Sequence, residues 1–252
     1  MERACYHVRE VTSGTSSTFP VLIWRGTADG AFARYDVPRR ESQTVLDVVT
    51  HVQRHVDPSL AYRYACRVGM CGSCAMTVNG KARWTCRTHV DAVGGNGTLE
   101  IAPLHHLPIV RDLVVDMAPF FDRWAAARGE FRPTATRSDD FARVPPQSPA
   151  RRAIDATIEC IGCAVCYASC DVVGWNPAYL GPAALNRAFT LVKDVRDGDG
   201  ARRLRAVAGD AGCLACHTHQ SCTERCPKHL SPTGSIASLK RLVSMAALKG
   251  EL

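Results

Sequence analysis

Thirteen cysteines punctuate the 252 residues, and eleven of them fall into three groups with regular internal spacing. Cys66, Cys71, Cys74 and Cys86 form a C-x4-C-x2-C…C pattern. Cys160, Cys163, Cys166 and Cys170 form C-x2-C-x2-C-x3-C, and Cys216, Cys222 and Cys226 follow, with Pro227 directly after the last. A chain patterned this way must fold around its thiols. The first spacing is that of plant-type [2Fe–2S] sites and the second that of bacterial two-cluster ferredoxins. Several such centres in one chain imply one-electron transfer.

The first ten residues, MERACYHVRE, have neither the apolar core of a signal peptide nor the look of a transit peptide. A cysteine count this high in a chain without a secretion signal points to metal rather than disulfides. No run approaches 18 apolar residues, so no membrane span is expected. The formal charge of +7 would suit an anionic partner, but oxidised clusters with their thiolates would contribute about −2 each and bring the loaded chain near neutrality. Nucleic acid is therefore not an expected partner.

Residues 18 to 104 read as strands with one helix. Val21–Trp24 and Ala31–Val37 are strand-like, and Thr44 to Val56 has helical spacing that ends at Asp57–Pro58. Ala75–Val78 and Ala82–Cys86 flank Asn79–Gly80, a two-residue hairpin signal, and Leu99–Ala102 closes the sheet. From Pro108, the residues Ile109, Leu113, Met117, Phe120, Phe121 and Trp124 predict the apolar face of one helix. Residues 126 to 150 read as a connector. Helices are expected over 152–159, 182–195, 201–208 and 232–248, the last with Ser231 as cap and Pro232 in its first turn. The domains expected are residues 1–106 and 107–252, with 107–150 as helix and connector.

In the first group, Gly69 and Gly72 allow the tight wrap that turns amide N–H groups inward. A zinc-stabilised interaction module is the alternative outside redox chemistry, but zinc favours C-x2-C pairs over this four-residue gap. In a C-x2-C-x2-C-x3-C run the fourth cysteine serves the other cluster. Cys160, Cys163, Cys166 and Cys226 are thus expected to hold a [4Fe–4S] cluster. Cys170, Cys216 and Cys222 remain, with His219 where a fourth cysteine would stand, and three thiolates suggest [3Fe–4S]. Cys213, three residues before Cys216, is read as a free buried cysteine, with a fourth thiolate for that cluster as the alternative, and Cys5 receives no role. His51, His55, His105 and His106 are read as surface residues.

The chain resembles the iron–sulfur subunits of succinate dehydrogenase and fumarate reductase from about residue 20 to 245. The resemblance is carried by CRVGMCGSC (66–74), LPIVRDLVVDM (107–117), ECIGCAVCYASC (159–170), WNP (175–177), GPAAL (181–185) and CPKHLSPTGSI (226–236). It implies an α+β chain, with a β-grasp [2Fe–2S] ferredoxin domain followed by an all-helical ferredoxin domain with [4Fe–4S] and [3Fe–4S] clusters. It also implies an oxidoreductase of the tricarboxylic acid cycle and electron transport. An FAD flavoprotein partner performs the dicarboxylate chemistry, and electrons pass through this subunit to quinone. Membrane-anchor subunits, in many relatives holding haem b, would keep it peripheral on the cytoplasmic face of a bacterial inner membrane. The resemblance assigns no catalytic residue here but places Trp175 and His217 at the quinone pocket. A fumarate reductase or another flavoprotein dehydrogenase is the alternative assembly. Asp171, Gly174 and His219 depart from the family pattern near that pocket.

Overall fold

The computed structural model describes residues 17–94 and 97–252, so Cys5 lies outside the described residues. Alternation sets the first strand, β1 (Thr18–Arg25), whose Phe19, Val21 and Ile23 face the core. It pairs antiparallel with β2 (Ala31–Pro38). Helix α1 (Val45–His55) starts at a reciprocal cap: Asp47 N–H donates to the Thr44 hydroxyl, and Thr44 N–H donates to the Asp47 carboxylate. Its valines and Leu46 form the buried face.

β3 (Ala75–Val78) and β4 (Lys81–Trp84) join through Asn79 and Gly80, both at positive φ, as a tight hairpin requires. After the short α2 (Val90–Val93), β5 (Leu99–Ala102) runs parallel to β1 and antiparallel to β3. The sheet order is β2-β1-β5-β3-β4. This mixed sheet over one helix is the expected β-grasp arrangement.

The stretch after Pro108 departs from the expected single helix. β6 (Ile109–Arg111) and β7 (Val114–Val115) form a small antiparallel hairpin, and helix α3 spans only Ala118–Ala126. β-Branched residues favour the extended form here, and Asp112 fixes the turn at φ 51°. Its carboxylate accepts from the backbone N–H of Gly26 at 2.7 Å and of Ala61 at 2.8 Å, and from Arg25 Nε at 3.1 Å. Leu113 packs into the core of the sheet domain. These bonds to distant residues override the local helical spacing.

The remainder is helical. The expected helix at 152–159 is split into α4 (Pro149–Ile154) and a 3₁₀ turn (Thr157–Glu159), where the Thr157 hydroxyl bonds back to the Ile154 carbonyl at 3.0 Å. Short helices α5 (Val165–Ala168) and α6 (Asp171–Trp175) precede α7 (Gly181–Lys193) and α8 (Gly200–Ala208). Another short helix, α9 (Ser221–Glu224), leads to α10 (Pro232–Leu248), whose cap is the Ser231 hydroxyl accepting from Gly234 N–H. The connector is pinned from inside. Fully buried Arg203 donates to the Asp197 carboxylate at 2.6 Å and to the carbonyls of Arg128 and Glu130 at 2.8 Å each. A buried guanidinium is tolerated because those acceptors satisfy it.

Candidate metal centres

The loop carrying Cys66, Cys71 and Cys74 curls through left-handed backbone at Arg67, Gly69 and Gly72. The curl turns the N–H groups of Met70 and Cys71 onto the Cys66 sulfur, at 3.3 and 3.4 Å. Cys74 and Cys86 are buried and close to one another. Thr85 ties their segments together, donating both its N–H (3.2 Å) and its hydroxyl (2.8 Å) to the Cys74 carbonyl. The thiols differ in character. A hydrogen bond from Ser73 brings Cys71 down to about 6, whereas burial, with Cys74 adding to it, pushes Cys86 up to about 12. Metal binding takes the proton from a ligating thiol, so loading this site releases protons.

In the second group, Cys160, Cys163, Cys166 and Cys226 line one cavity together with Asn186 and Pro227. The first three come from the segment that enters α5, and Cys226 arrives from just beyond α9. Burial raises Cys160, pushes Cys163 up to about 11 and carries Cys166 well above the ordinary thiol range. The N–H groups of Gly162 and Val165 bond to Cys160 and Cys163 and offset part of that rise. Cys170 lines the next cavity instead.

That third site gathers Cys170, Cys216 and Cys222 with Tyr179, His217, His219 and Thr233. Thr218 N–H points at the Cys216 sulfur at 3.4 Å, and the Thr233 hydroxyl lies 3.3 Å from the Cys222 sulfur. Cys213 is fully buried at the start of a 3₁₀ turn (Cys213–Ala215) and does not line the cavity. Tyr179 was not apparent from the sequence. It is buried and lines the same cavity as Cys216, and burial, then the neighbouring thiols, holds its pKa well above the ordinary phenol range.

Trp175 stands at the mouth of this site, 66% exposed, with its ring 6.4 Å from His217 and 5.6 Å from His219. His219 Nδ1 is 3.5 Å from the Asp171 carboxylate, so two of the residues that depart from the family pattern pair with each other. Gly174, the third, is explained by its neighbour. A Cβ there would come within 2.7 Å of His106 Cε1, so the ring of His106 occupies the space that any side chain at this position would need. No spacing in the sequence links residues 106 and 174.

Two family models match the chain. One, a 2Fe-2S iron-sulfur cluster binding domain, covers residues 21–122, and the other, a 4Fe-4S dicluster domain, covers residues 156–230. The succinate dehydrogenase iron-sulfur subunit of Paracoccus denitrificans is 36% identical, the match covering 79% of this chain and 76% of that protein. This chain belongs to the succinate dehydrogenase iron–sulfur subunit family. The mitochondrial succinate dehydrogenase (ubiquinone) iron-sulfur subunit 1 of Oryza sativa subsp. japonica is 37% identical over 79% of this chain and 70% of that protein. A chain of the Mycobacterium smegmatis Sdh1 complex in the apo form superposes with a TM-score of 0.81 at 26% identity, covering 92% of this chain and 97% of that one.

The residues present fit the clusters that membership implies. Thiols converge in groups, and backbone N–H groups point at their sulfurs, as iron–sulfur ligation requires.

Proposed function

We propose that this chain is the electron-transfer subunit of a succinate:quinone oxidoreductase, standing between an FAD flavoprotein and a quinone pocket shared with membrane-anchor subunits. The observation that carries this reading is the contiguity of the three thiol groups. Gly72 of the first loop abuts Cys163 of the second group, and Cys166 of the second group lies near Cys222 of the third. Three separate sites on an ordinary scaffold would have no reason to touch in series.

In this reading Cys66, Cys71, Cys74 and Cys86 hold a [2Fe–2S] cluster. Cys160, Cys163, Cys166 and Cys226 hold [4Fe–4S], and Cys170, Cys216 and Cys222 hold [3Fe–4S]. Bound there, the clusters supply one-electron steps between a two-electron flavin and a two-electron quinone. The chain's own residues fix the order of the sites and aim N–H groups at the sulfurs. Trp175 and His217 form one wall of the quinone pocket, with the His217 imidazole as hydrogen-bond partner or proton donor to a quinone oxygen.

No helix among the described residues is long and apolar enough to cross a membrane, which fits a peripheral subunit held by its anchor on the cytoplasmic face of a bacterial inner membrane. The relatives named above are succinate dehydrogenase subunits, and nothing favours fumarate reductase. We place the domain boundary after Val115 rather than at residue 106, because the hairpin of β6 and β7 packs on the first domain. Purification of the native complex tests the reading: a flavoprotein and an apolar anchor should copurify, with succinate-dependent quinone reduction. A brown chain that isolates alone from a membrane-free fraction would contradict it.

A further inference from the structure

Trp84 is a residue that neither the cysteine spacing nor the proposed quinone pocket accounts for. It ends β4, two residues before Cys86, and is 93% buried, the complement of its 7% exposure. Its indole reaches in two directions. The benzo edge lies on the first ligand loop, where a Cβ on Gly69 would sit 3.0 Å from Trp84 Cζ3 and 3.2 Å from Cε3. The pyrrole edge faces the second group: Trp84 packs in one cluster with Cys163 and Cys166, and Nε1 is turned to the Cys163 sulfur.

That N–H is also unsatisfied. Trp84 Nε1 is wholly shielded from solvent and, among the described residues, finds no acceptor in good hydrogen-bond geometry. The Cys163 sulfur is near but, as a neutral thiol, is a poor acceptor. A buried N–H left unpaired loses its water partner without gaining another, so such a group usually marks a missing partner. A thiolate bound to iron, or a cluster sulfide beside it, is a strongly charged acceptor in the direction the indole points.

We propose that Trp84 donates its indole N–H to the sulfur of Cys163 when the second cluster is bound, and so raises that cluster's reduction potential. The inference rests on the assignment of Cys163 to a [4Fe–4S] site. A donor aimed at a cluster sulfur stabilises the more negative, reduced state, which moves the potential upward. The residue also makes the second site depend on the first domain, since its backbone belongs to the hairpin that carries Cys74 and leads to Cys86. It is a positioning residue, with no contact to substrate or quinone.

The test is an EPR-monitored redox titration of the purified complex carrying Trp84→Phe, which keeps a ring against Gly69 and removes the N–H. The reduced-to-oxidised ratio of the [4Fe–4S] centre at a fixed potential should fall about tenfold, a downward shift of about 59 mV for one electron. The other two centres should keep their midpoints. An unchanged [4Fe–4S] midpoint, or equal shifts at all three centres, would overturn the proposal. If the variant does not assemble the second cluster, wild-type complex labelled with indole-15N tryptophan decides: 15N coupling to the reduced [4Fe–4S] centre supports the bond, and its absence overturns it. A wild-type complex with no [4Fe–4S] signal would instead defeat the cluster assignment itself.

Discussion

Gly72 and Cys163 touch across the two domains: a Cβ built on Gly72 would lie 2.4 Å from the Cys163 Cβ, far inside any normal contact. The first ligand loop therefore meets a ligand of the second group with no side chain between them. Gly72 is also at φ 73°, a conformation that L side chains resist.

Gly72→Ala should push the two ligand loops apart and reduce both the [2Fe–2S] and [4Fe–4S] EPR signals. Gly80→Ala is the control. It sits at φ 72° with nothing within 4 Å of the added carbon, so it should cost only the left-handed strain of roughly 1–2 kcal/mol. Equal cluster loss in the two variants would show that strain rather than contact governs.

Asp112 carries the turn that sequence periodicity misses. Burial opposes its charge, but the N–H groups of Gly26 and Ala61, with Arg25, outweigh burial and hold its carboxyl below the usual range. Asp57 is held down by the Ser59 hydroxyl first and Arg25 second. With depressed folded-state values, both contribute stability above the ordinary carboxylate pKa of about 4 and lose it as pH falls through their folded values. Asp112→Asn should lower stability at neutral pH by about 3 kcal/mol, read as a thermal midpoint lower by roughly 6–12 °C. Its stability should also fall less steeply than the wild type below about pH 4. A parallel pH profile would remove Asp112 from this role.

Cys213 is close to Cys216 in sequence yet does not line the third cavity. Cys213→Ala should leave iron content and the three-iron EPR signal unchanged, while Cys216→Ala should abolish that signal. Loss of the signal in both variants would make Cys213 a ligand.

Trp175→Leu and His217→Ala should each slow succinate-driven quinone reduction by an order of magnitude or more. Succinate oxidation with an artificial acceptor at the flavin should survive, because that step lies upstream. Joint loss of both activities would mean that these residues hold the fold.

The cysteine grouping was legible in the sequence because ligand spacing is a short-range geometric rule, and the Cys226–Pro227 ending tied a distant thiol to the second group. The β-grasp sheet was legible because strand alternation, the Thr44 cap and Asn79–Gly80 are local signals. What the sequence hid depends on residues far apart along the chain. Asp112 turns a helical pattern into a hairpin through bonds to residues 25, 26 and 61. The placement of His106 over Gly174, of Tyr179 in one cavity with Cys216 and of Trp84 beside Cys163 likewise has no local signature. The splitting of the helix expected at 152–159 is subtler, since one threonine hydroxyl competes with the backbone there.

The central claim is that eleven cysteines hold three different clusters, and iron and acid-labile sulfide analysis with EPR on the anaerobically purified complex tests it most directly. The account predicts about nine irons per chain, the sum of two, four and three, with a three-iron signal in the oxidised state and two further signals on reduction. About ten irons with no three-iron signal, or a colourless chain carrying zinc, would contradict it.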